Sequence, residues 1–445
     1  MSDNRSIQLQ LAIAILGLSL LGPVYLFKQS PLSQDLLGVV GMAIGLGAYA
    51  FMLYLTPGTL RISPSFFWLT AIAIRIPVLA VPIFVDDTLY RAIWDGWIQH
   101  QGINPYHFYP SAERLDLLQT GDLYELLHHT GAYSATSPLW LVPYRFMSYI
   151  YNLAGLGGTI LAFKIITLLL DIGVIKALLA WKKQSRHHIP AVALWALVLN
   201  PFLILYFTGQ GLIFLLVFLI IIWTAITWQR RVYELASILW GALMLATPLA
   251  WLLYPYLFRA FGWKKALLAL ITVVVWWAPF FTFEAISNFS LGHLHLWMQP
   301  GTYLSAGHYL VTTLQQWSGI AELGVAWVAL VWLVLFSAAL GDAIRIRSGE
   351  FSVEALLNRL AFFGLLLFLL MPAGEYISAA IVLLATVMSG RLFKTAGLFT
   401  ALLLVAVVLT KWNIIYIGLA ALAPLLYLGW LMFEELVDAP EGIRG

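Results

Sequence analysis

The chain contains no cysteine and few charged residues, and each absence narrows the class of protein to which it can belong. Without cysteine, disulfide bonds and thiolate metal sites are excluded. Charged residues make up 10% of the 445 residues, whereas about 25% is usual in soluble globular domains. The net charge of +3 gives no support for nucleic-acid binding. We therefore expect little of the chain to be exposed to water. We also expect no nucleic-acid partner.

Hydrophobic residues make up 62% of the chain and the mean hydropathy is +0.88. Apolar runs of about 20 residues match the thickness of the bilayer hydrocarbon, so we expect an all-α polytopic membrane protein of about 13–14 transmembrane helices. We expect one integral membrane domain over 1–445, whose first apolar run is a retained helix and not a signal peptide. The spans are expected at 8–28, 33–55, 66–84, 159–181, 190–207, 211–228, 235–258, 265–283, 323–341, 356–371, 375–390, 395–410 and 413–433.

Lys and Arg concentrate in cytoplasmic loops, which orients the bundle. With the N-terminus inside, the inner segments hold fifteen of the 24 Lys and Arg residues and the outer segments hold five. This places two long loops, 85–158 and 284–322, on the external face of what we expect to be a bacterial inner or plasma membrane. The assignment requires that 138–155 is an interfacial helix. It also requires that 235–258 is a pair of short helices broken at Pro248.

The first of these loops opens with the stretch FVDDTLYRAIWDGWIQHQGINPYHFYP, from Phe84 to Pro110. It contains, in this order, Asp86-Asp87, Tyr90-Arg91, Trp94-Asp95-Gly96, Gly102, Asn104-Pro105-Tyr106 and Pro110. This order resembles the GT-C glycosyltransferases, and most of all their bacterial polyprenol-phosphate-mannose-dependent mannosyltransferases. Asn200-Pro201 followed by Gly209-Gln210-Gly211 is a weaker match.

Two positions depart from the pattern of that branch. Members often carry an acidic residue shortly after the glycine of the weaker match, where this chain has Leu212 and Ile213. They also frequently carry a lysine before a proline near the broken hairpin, where Ala246-Thr247-Pro248 stands here.

The resemblance implies a GT-C-like fold with external juxtamembrane helices and a membrane glycosyltransferase activity. The enzyme would move a sugar, most simply mannose, from a polyprenyl-phosphate donor to a hydroxyl of a glycan, lipid or protein acceptor. Transfer would occur on the external face with inversion, and without a cofactor or a metal. The alternative is a multi-span transporter or flippase for a lipid-linked or polar substrate, which would also have many spans and buried charges.

Asp86 and Asp87 are the candidate catalytic residues, because an inverting transfer needs a general base for the acceptor hydroxyl. Adjacent side chains point in different directions, so one carboxylate faces the reacting atoms while the other orients the acceptor. Family members place the base first in such pairs, which favours Asp86. The structural alternative is that Asp86 caps the helix that follows it.

The substrate-binding candidates in this loop are Tyr90, Arg91, Trp94, Asp95, Asn104 and Tyr106. Helical spacing puts one polar and aromatic set on a single helix face: Asp87, Tyr90, Arg91, Trp94 and Asp95. Arg91 either pairs with Asp87 or Asp95 or contacts the lipid phosphate. Trp94 either lines a sugar pocket or belongs to an interfacial aromatic belt. Asn104-Pro105-Tyr106 predicts a rigid turn that shapes the acceptor side.

Further candidates lie elsewhere in the chain. Arg75 and Asp171 fall within predicted spans, where charges usually face the interior with a partner, so we expect them to pair with each other. His293, His295 and His308 are candidates for binding the donor phosphate. His293 and His295 would reach one metal ion only if they shared a strand face, and a plain interfacial role is a further alternative. Glu375 either assists the acceptor or is a helix-start acid.

Overall fold

The computed structural model describes residues 9–10, 12–17, 32–55, 63–83, 88–119, 121–185, 189–298, 306–320, 322–346, 351–371, 376–411 and 415–437. Three of the predicted site residues, Asp86, Asp87 and Glu375, lie outside these ranges. His308 lies on a described helix, but its side chain is outside the described part.

Every regular element in the described part is helical, which confirms the predicted all-α class. The α-helices are numbered here in chain order: α1 (Leu32–Leu55), α2 (Pro64–Arg75), α3 (Thr88–His100), α4 (Asp122–Glu125), α5 (Pro138–Gln184), α6 (Ala191–Val198), α7 (Leu215–Gln229), α8 (Tyr233–Ala246), α9 (Leu249–Leu252), α10 (Tyr254–Phe261), α11 (Trp263–Trp277), α12 (Phe283–Met298), α13 (Ala306–Ser318), α14 (Leu323–Arg345), α15 (Val353–Leu370), α16 (Tyr376–Ser389), α17 (Phe393–Lys411) and α18 (Ile415–Val437). Short 3-10 or π turns occupy Pro77–Ala80, Glu113–Leu118, Leu203–Thr208 and Ala278–Phe280.

Five helical segments of the described part are long and apolar enough to cross a membrane. They are Pro138–Gln184, Ala191–Thr208, Trp263–Phe280, Leu323–Arg345 and Val353–Leu370. Six shorter apolar helices accompany them, at Ala43–Tyr54, Pro64–Ala80, Leu215–Gln229, Tyr233–Ala246, Ile377–Ser389 and Phe393–Leu404. The chain is therefore a helical protein with several apolar helices that can span a bilayer, and the count of about 13–14 spans stays a prediction.

Two predicted helix boundaries are confirmed. Gly155 interrupts α5 with φ 67° and ψ −170°, a conformation that a residue without Cβ adopts easily. The break separates 138–154 from the apolar remainder of the helix, next to the boundary expected between an interfacial helix and a span. The second break lies at Pro248, because α8 ends at Ala246 and α9 begins at Leu249. A further break at Leu253 separates α9 from α10, so three short helices stand where a pair was predicted.

The segment expected as one span over 66–84 differs from the prediction. The α-helix ends at Arg75, a 3-10 turn covers Pro77–Ala80, and the backbone is extended at Val81. Pro77 has no N–H to donate to the preceding helical turn, which explains why the α-helix stops there. The carbonyl groups after this break need donors from other parts of the protein.

Arg75 and Asp171 form the predicted pair, which joins α2 to α5. Arg75 Nε lies 2.6 Å from Asp171 Oδ2, and Arg75 Nη2 lies 3.0 Å from Oδ1. The hydroxyl of Thr208 donates a further hydrogen bond of 2.9 Å to Asp171 Oδ2. Both charged side chains are buried, and a bidentate pair is the arrangement that makes such burial tolerable within an apolar bundle.

Candidate functional site

The predicted aspartate pair is approached from both sides by described chain. On one side, residues 81–83 follow the 3-10 turn of the broken helix, with Val81 extended. On the other side, α3 begins at Thr88. The residues that bond to these two flanks, and the segments that pack against them, therefore define the candidate site.

Lys164 and Gln210 hold the flank that precedes the aspartates. Lys164 Nζ donates to the carbonyl oxygen of Val81, at short range, and to that of Leu79 at 3.3 Å. Gln210 Nε2 donates to the carbonyl oxygen of Pro82 at 3.5 Å. These are carbonyl groups that the helix break deprives of intrahelical donors.

Sequence reasoning did not select Lys164 or Gln210 as site residues. The signal for Lys164 was present, since it is a charge within the predicted span 159–181 and the rule that singled out Arg75 and Asp171 applies to it equally. Gln210 stood in the weaker match but had no assigned role. Its contact with Pro82 depends on how three distant segments pack, which no local pattern encodes.

Arg91 and Asp95 hold the other flank, and the predicted pairing of Arg91 is confirmed for Asp95. Arg91 Nε lies 3.0 Å from Asp95 Oδ1, one turn along α3. Arg91 also donates to the carbonyl oxygens of His129 at 3.4 Å and Ala132 at 3.0 Å. The guanidinium group of Arg91 is therefore bonded to the loop that follows α4. In this arrangement it stabilises the loop and is poorly placed to bind a lipid phosphate.

Asp95 is fully buried and accepts two further hydrogen bonds. Ser134 Oγ donates to Asp95 Oδ2 at 2.6 Å, and Thr136 Oγ1 donates to the same oxygen at 2.9 Å. Three donors therefore surround this carboxylate, and one of them is the charged Arg91. Such an environment fixes a carboxylate in place, and Asp95 acts here as the joint between α3 and the segment 129–136.

The aromatic face of α3 is turned into the protein. Trp94 is 1% exposed and its ring contacts those of Trp97 and Tyr124 at centroid distances of 5.5 and 5.7 Å. It is thus a core residue in this structure, neither in a surface belt nor on an open pocket wall. Its indole N–H is buried without an acceptor among the described residues. Tyr90 is half-buried, and burial raises the pKa of its hydroxyl.

Gly96 explains how closely α3 approaches α5. A Cβ atom at Gly96 would overlap the backbone carbonyl group of Tyr144 on α5. The Trp-Asp-Gly sequence therefore has a packing reason for each residue, since the tryptophan fills the core, the aspartate binds the loop and the glycine admits the neighbouring helix.

The predicted turn at Asn104-Pro105-Tyr106 is present and joins the two long loops. The Asn104 side chain accepts from the Tyr106 N–H at 3.1 Å and donates to the carbonyl oxygen of Phe280 at 3.4 Å. The Tyr106 hydroxyl donates to the carbonyl oxygen of Thr136 at 2.6 Å, and its ring stacks on Trp277 at 5.2 Å. Burial, and the negative charge of Asp95, raise the pKa of the Tyr106 hydroxyl well above its usual range.

Helix α12, in the second loop, packs directly on the first loop. Asn288 Nδ2 donates to the carbonyl oxygen of Tyr106 at 2.9 Å. A Cβ atom at Gly292 would lie 2.7 Å from the carbonyl oxygen of Tyr133 and 3.0 Å from that of Ser134, so the backbones touch at this glycine. The described parts of the loops 85–158 and 284–322 thus form one continuous structure.

The histidines of the second loop do not share a strand face, because His293 and His295 lie on α12. Residues two positions apart on a helix point in different directions. His293 packs on Phe289 with a ring distance of 4.4 Å, and burial lowers its pKa to about 4, so it is neutral at pH 7. His295 is exposed, and its ring lies 6.4 Å from that of His129.

Within the described residues, no three His, Asp or Glu side chains form a group that could hold a metal ion. Neutral His293 could meet a phosphate through a hydrogen bond but not through its charge. Asn200 of the weaker match is fully buried, where its amide group donates to Tyr49, Gly397 and Thr400. It therefore joins α1 to α17 and does not contribute to the loop site.

Comparisons of this chain with protein families, with curated proteins and with solved structures found no match. The chemical interpretation of the site therefore depends on the motif and on the geometry described above.

Proposed function

We propose that the protein is a membrane glycosyltransferase that moves a sugar from a polyprenyl-phosphate donor to an acceptor hydroxyl. The observation that carries the proposal is the framework around the aspartate pair. A buried lysine and a glutamine hold the chain that enters Asp86, and an ion-paired helix holds the chain that leaves Asp87. The two loops that follow are packed on each other, with Asn288 bonded to Tyr106.

In the proposed reaction, the acceptor oxygen attacks the anomeric carbon from the face opposite the phosphate, which gives inversion. The acceptor O–H proton passes to the carboxylate of Asp86, with Asp87 as the orienting partner. The bond between the anomeric carbon and the phosphate oxygen breaks, and its electron pair leaves with the polyprenyl phosphate. Tyr90, Asn104, His295, His308 and Glu375 remain candidates for substrate contacts.

We further propose a GT-C-like arrangement with about 13–14 spans. The loops 85–158 and 284–322 would lie on the external face of a bacterial inner or plasma membrane. The segment 138–154, set off by Gly155, would then be a juxtamembrane helix. Such a layout keeps the polyprenyl tail in the bilayer while the sugar reaches Asp86. A glycan, lipid or protein would serve as the acceptor.

A transporter is the alternative class, and its main support was the presence of charges within spans. Arg75 and Asp171, however, bond to each other and to Thr208. A bidentate pair with saturated partners is poorly placed to carry a substrate, so this pair gives the transporter no support.

The proposal is tested by transfer in nanodiscs from a panel of labelled polyprenyl-phosphate sugars. Asp86→Asn or Asp87→Asn should reduce turnover by roughly 10²–10⁴-fold, the usual contribution of a general base. Asp116→Asn, which removes an exposed carboxylate of the same loop, is the matched control and should leave turnover unchanged. Near wild-type turnover in both aspartate variants would contradict the assigned site, and uptake of a polar substrate without transfer would favour the transporter.

A further inference from the structure

Four charged side chains of the described part are buried: Arg75, Asp95, Lys164 and Asp171. Arg75 pairs with Asp171, and Asp95 pairs with Arg91. Lys164 is 3% exposed, and among the described residues it donates to two backbone carbonyl oxygens and to no carboxylate. We infer that Lys164 binds the phosphate group of a lipid, which supplies the missing negative charge.

The geometry leaves Lys164 able to take such a ligand. An ammonium group has three N–H donors, and the carbonyl oxygens of Leu79 and Val81 use two of them. Carbonyl groups contribute dipoles but no net charge, so they solvate the cation without neutralising it. A phosphate oxygen at the third donor would complete the shell with a charge-assisted hydrogen bond.

Holding the broken helix does not by itself require a cation. Gln210 does the same at Pro82 with a neutral amide, and a neutral donor is far cheaper to bury than an ammonium group. Burying the positive charge of Lys164 therefore costs free energy, and no structural contact among the described residues requires that charge. Binding an anion is a role that accounts for the charge.

The position of Lys164 suits the phosphate of a membrane lipid. It lies five residues into the expected span 159–181, about 8 Å along a helix from the end that adjoins the first external loop. Gly211, with φ 72°, packs on it so closely that a Cβ atom there would lie 3.4 Å from Lys164 Cγ. The lysine side chain thus lies between Gly211 and the chain at Leu79 and Val81.

The identity of the lipid rests on the proposed function. Val81 lies five residues before Asp86, and five residues of extended chain span at most about 17 Å. In a polyprenyl-phosphate sugar the phosphate is bonded directly to the anomeric carbon. One cation binds that phosphate and one base takes the proton of the acceptor, so the two protein groups must lie on either side of one sugar ring. Lys164 is within reach of that arrangement, and it would stabilise the departing phosphate.

Binding measured without transfer tests the inference. Purified protein in dodecyl maltoside, a detergent without phosphate, is titrated with labelled polyprenyl phosphate, with the uncharged polyprenol of the same length and with phosphatidylglycerol. Wild-type protein should prefer polyprenyl phosphate to polyprenol by about tenfold to a hundredfold, the range expected for hydrogen bonds to a charged group. Lys164→Gln should lose this preference, because its amide can keep the carbonyl contacts but not the charge.

Two further variants complete the design. Lys164→Arg keeps the charge and should keep much of the preference. Lys176→Met removes an exposed lysine of the same helix and should behave as wild type. If Lys164→Gln does not fold, equal affinity of the wild-type protein for the two lipids still overturns the inference.

Equal affinity of wild-type protein for polyprenyl phosphate and polyprenol would overturn the inference, as would an unchanged preference in Lys164→Gln. Equal binding of phosphatidylglycerol would support a lipid-phosphate site and assign it to a general headgroup in place of the donor. A wild-type protein that shows the Lys164-dependent preference but transfers no sugar would refute the proposed enzyme while the phosphate site stands.

Discussion

The role of Asp95 provides a sharp test of how the loop framework is built. Replacing Asp95 by asparagine keeps the shape of the side chain but removes the charge that faces Arg91 at 3.0 Å. It also replaces one carboxylate oxygen by an N–H₂ donor. That N–H₂ group must then face either Arg91 or the hydroxyl groups of Ser134 and Thr136. In the wild-type protein all three of these side chains donate to Asp95.

The expected cost is about 3 kcal/mol, because removing one partner of a buried ion pair typically costs 3–5 kcal/mol. The lower end applies here, since the Arg91 side chain is 17% exposed and water can partly solvate it after the substitution. Arg91→Met should cost a similar amount. The double variant should cost much less than the sum of the two, because both substitutions remove the same interaction.

Thermal unfolding in detergent measures the effect, and the exposed-carboxylate variant Asp116→Asn serves as the control. Asp95→Asn should lower the midpoint by several degrees while the control leaves it unchanged. Sugar transfer measured well below the midpoint should recover in proportion to the folded fraction. An Asp95→Asn protein as stable as the control, yet inactive, would refute the framework role and make Asp95 a direct substrate ligand.

Three other outcomes follow from the same framework. Gly292→Ala should loosen the contact between the two loops, because its Cβ would press on the carbonyl oxygens of Tyr133 and Ser134. Limited proteolysis would detect this, with Gly157→Ala, which meets nothing within 4 Å, as the control. The stability contributed by neutral His293, with its pKa lowered to about 4, should be present above pH 6.5 and be lost as the pH falls toward 4, by up to about 3 kcal/mol. His293→Gln should flatten this dependence in acid-unfolding curves, whereas exposed His295→Gln should not. Transfer should survive EDTA, since a cationic side chain can stabilise a monophosphate leaving group; a loss restored by manganese or magnesium would instead make the aspartates metal ligands.

Several features of the fold could be predicted because a local physical rule determines them. Apolar runs of membrane length gave helices in the expected places. The interruptions at Gly155 and Pro248 fall where the residue types permit or require them. The pairing of Arg75 with Asp171 followed from the cost of an unpaired charge among apolar helices.

The features that were missed depend on packing between distant segments. The continuous span expected over 66–84 breaks at Pro77, and the break is tolerated because Lys164 and Gln210 supply donors from elsewhere in the chain. The hydrophobic pattern of the segment is the same whether or not such donors exist. The inward orientation of Trp94 could not be predicted either. Helical spacing shows which residues share a face, but not which part of the protein packs on that face.

The motif from Phe84 to Pro110 contains residues whose packing roles the structure shows. Asp95 fixes the loop, Gly96 admits α5 and Tyr106 joins the two loops. In the proposed reaction, these contacts would position the chain that carries the two aspartates. Lys164, which we assign to the phosphate, would contact the leaving group from α5, outside the motif.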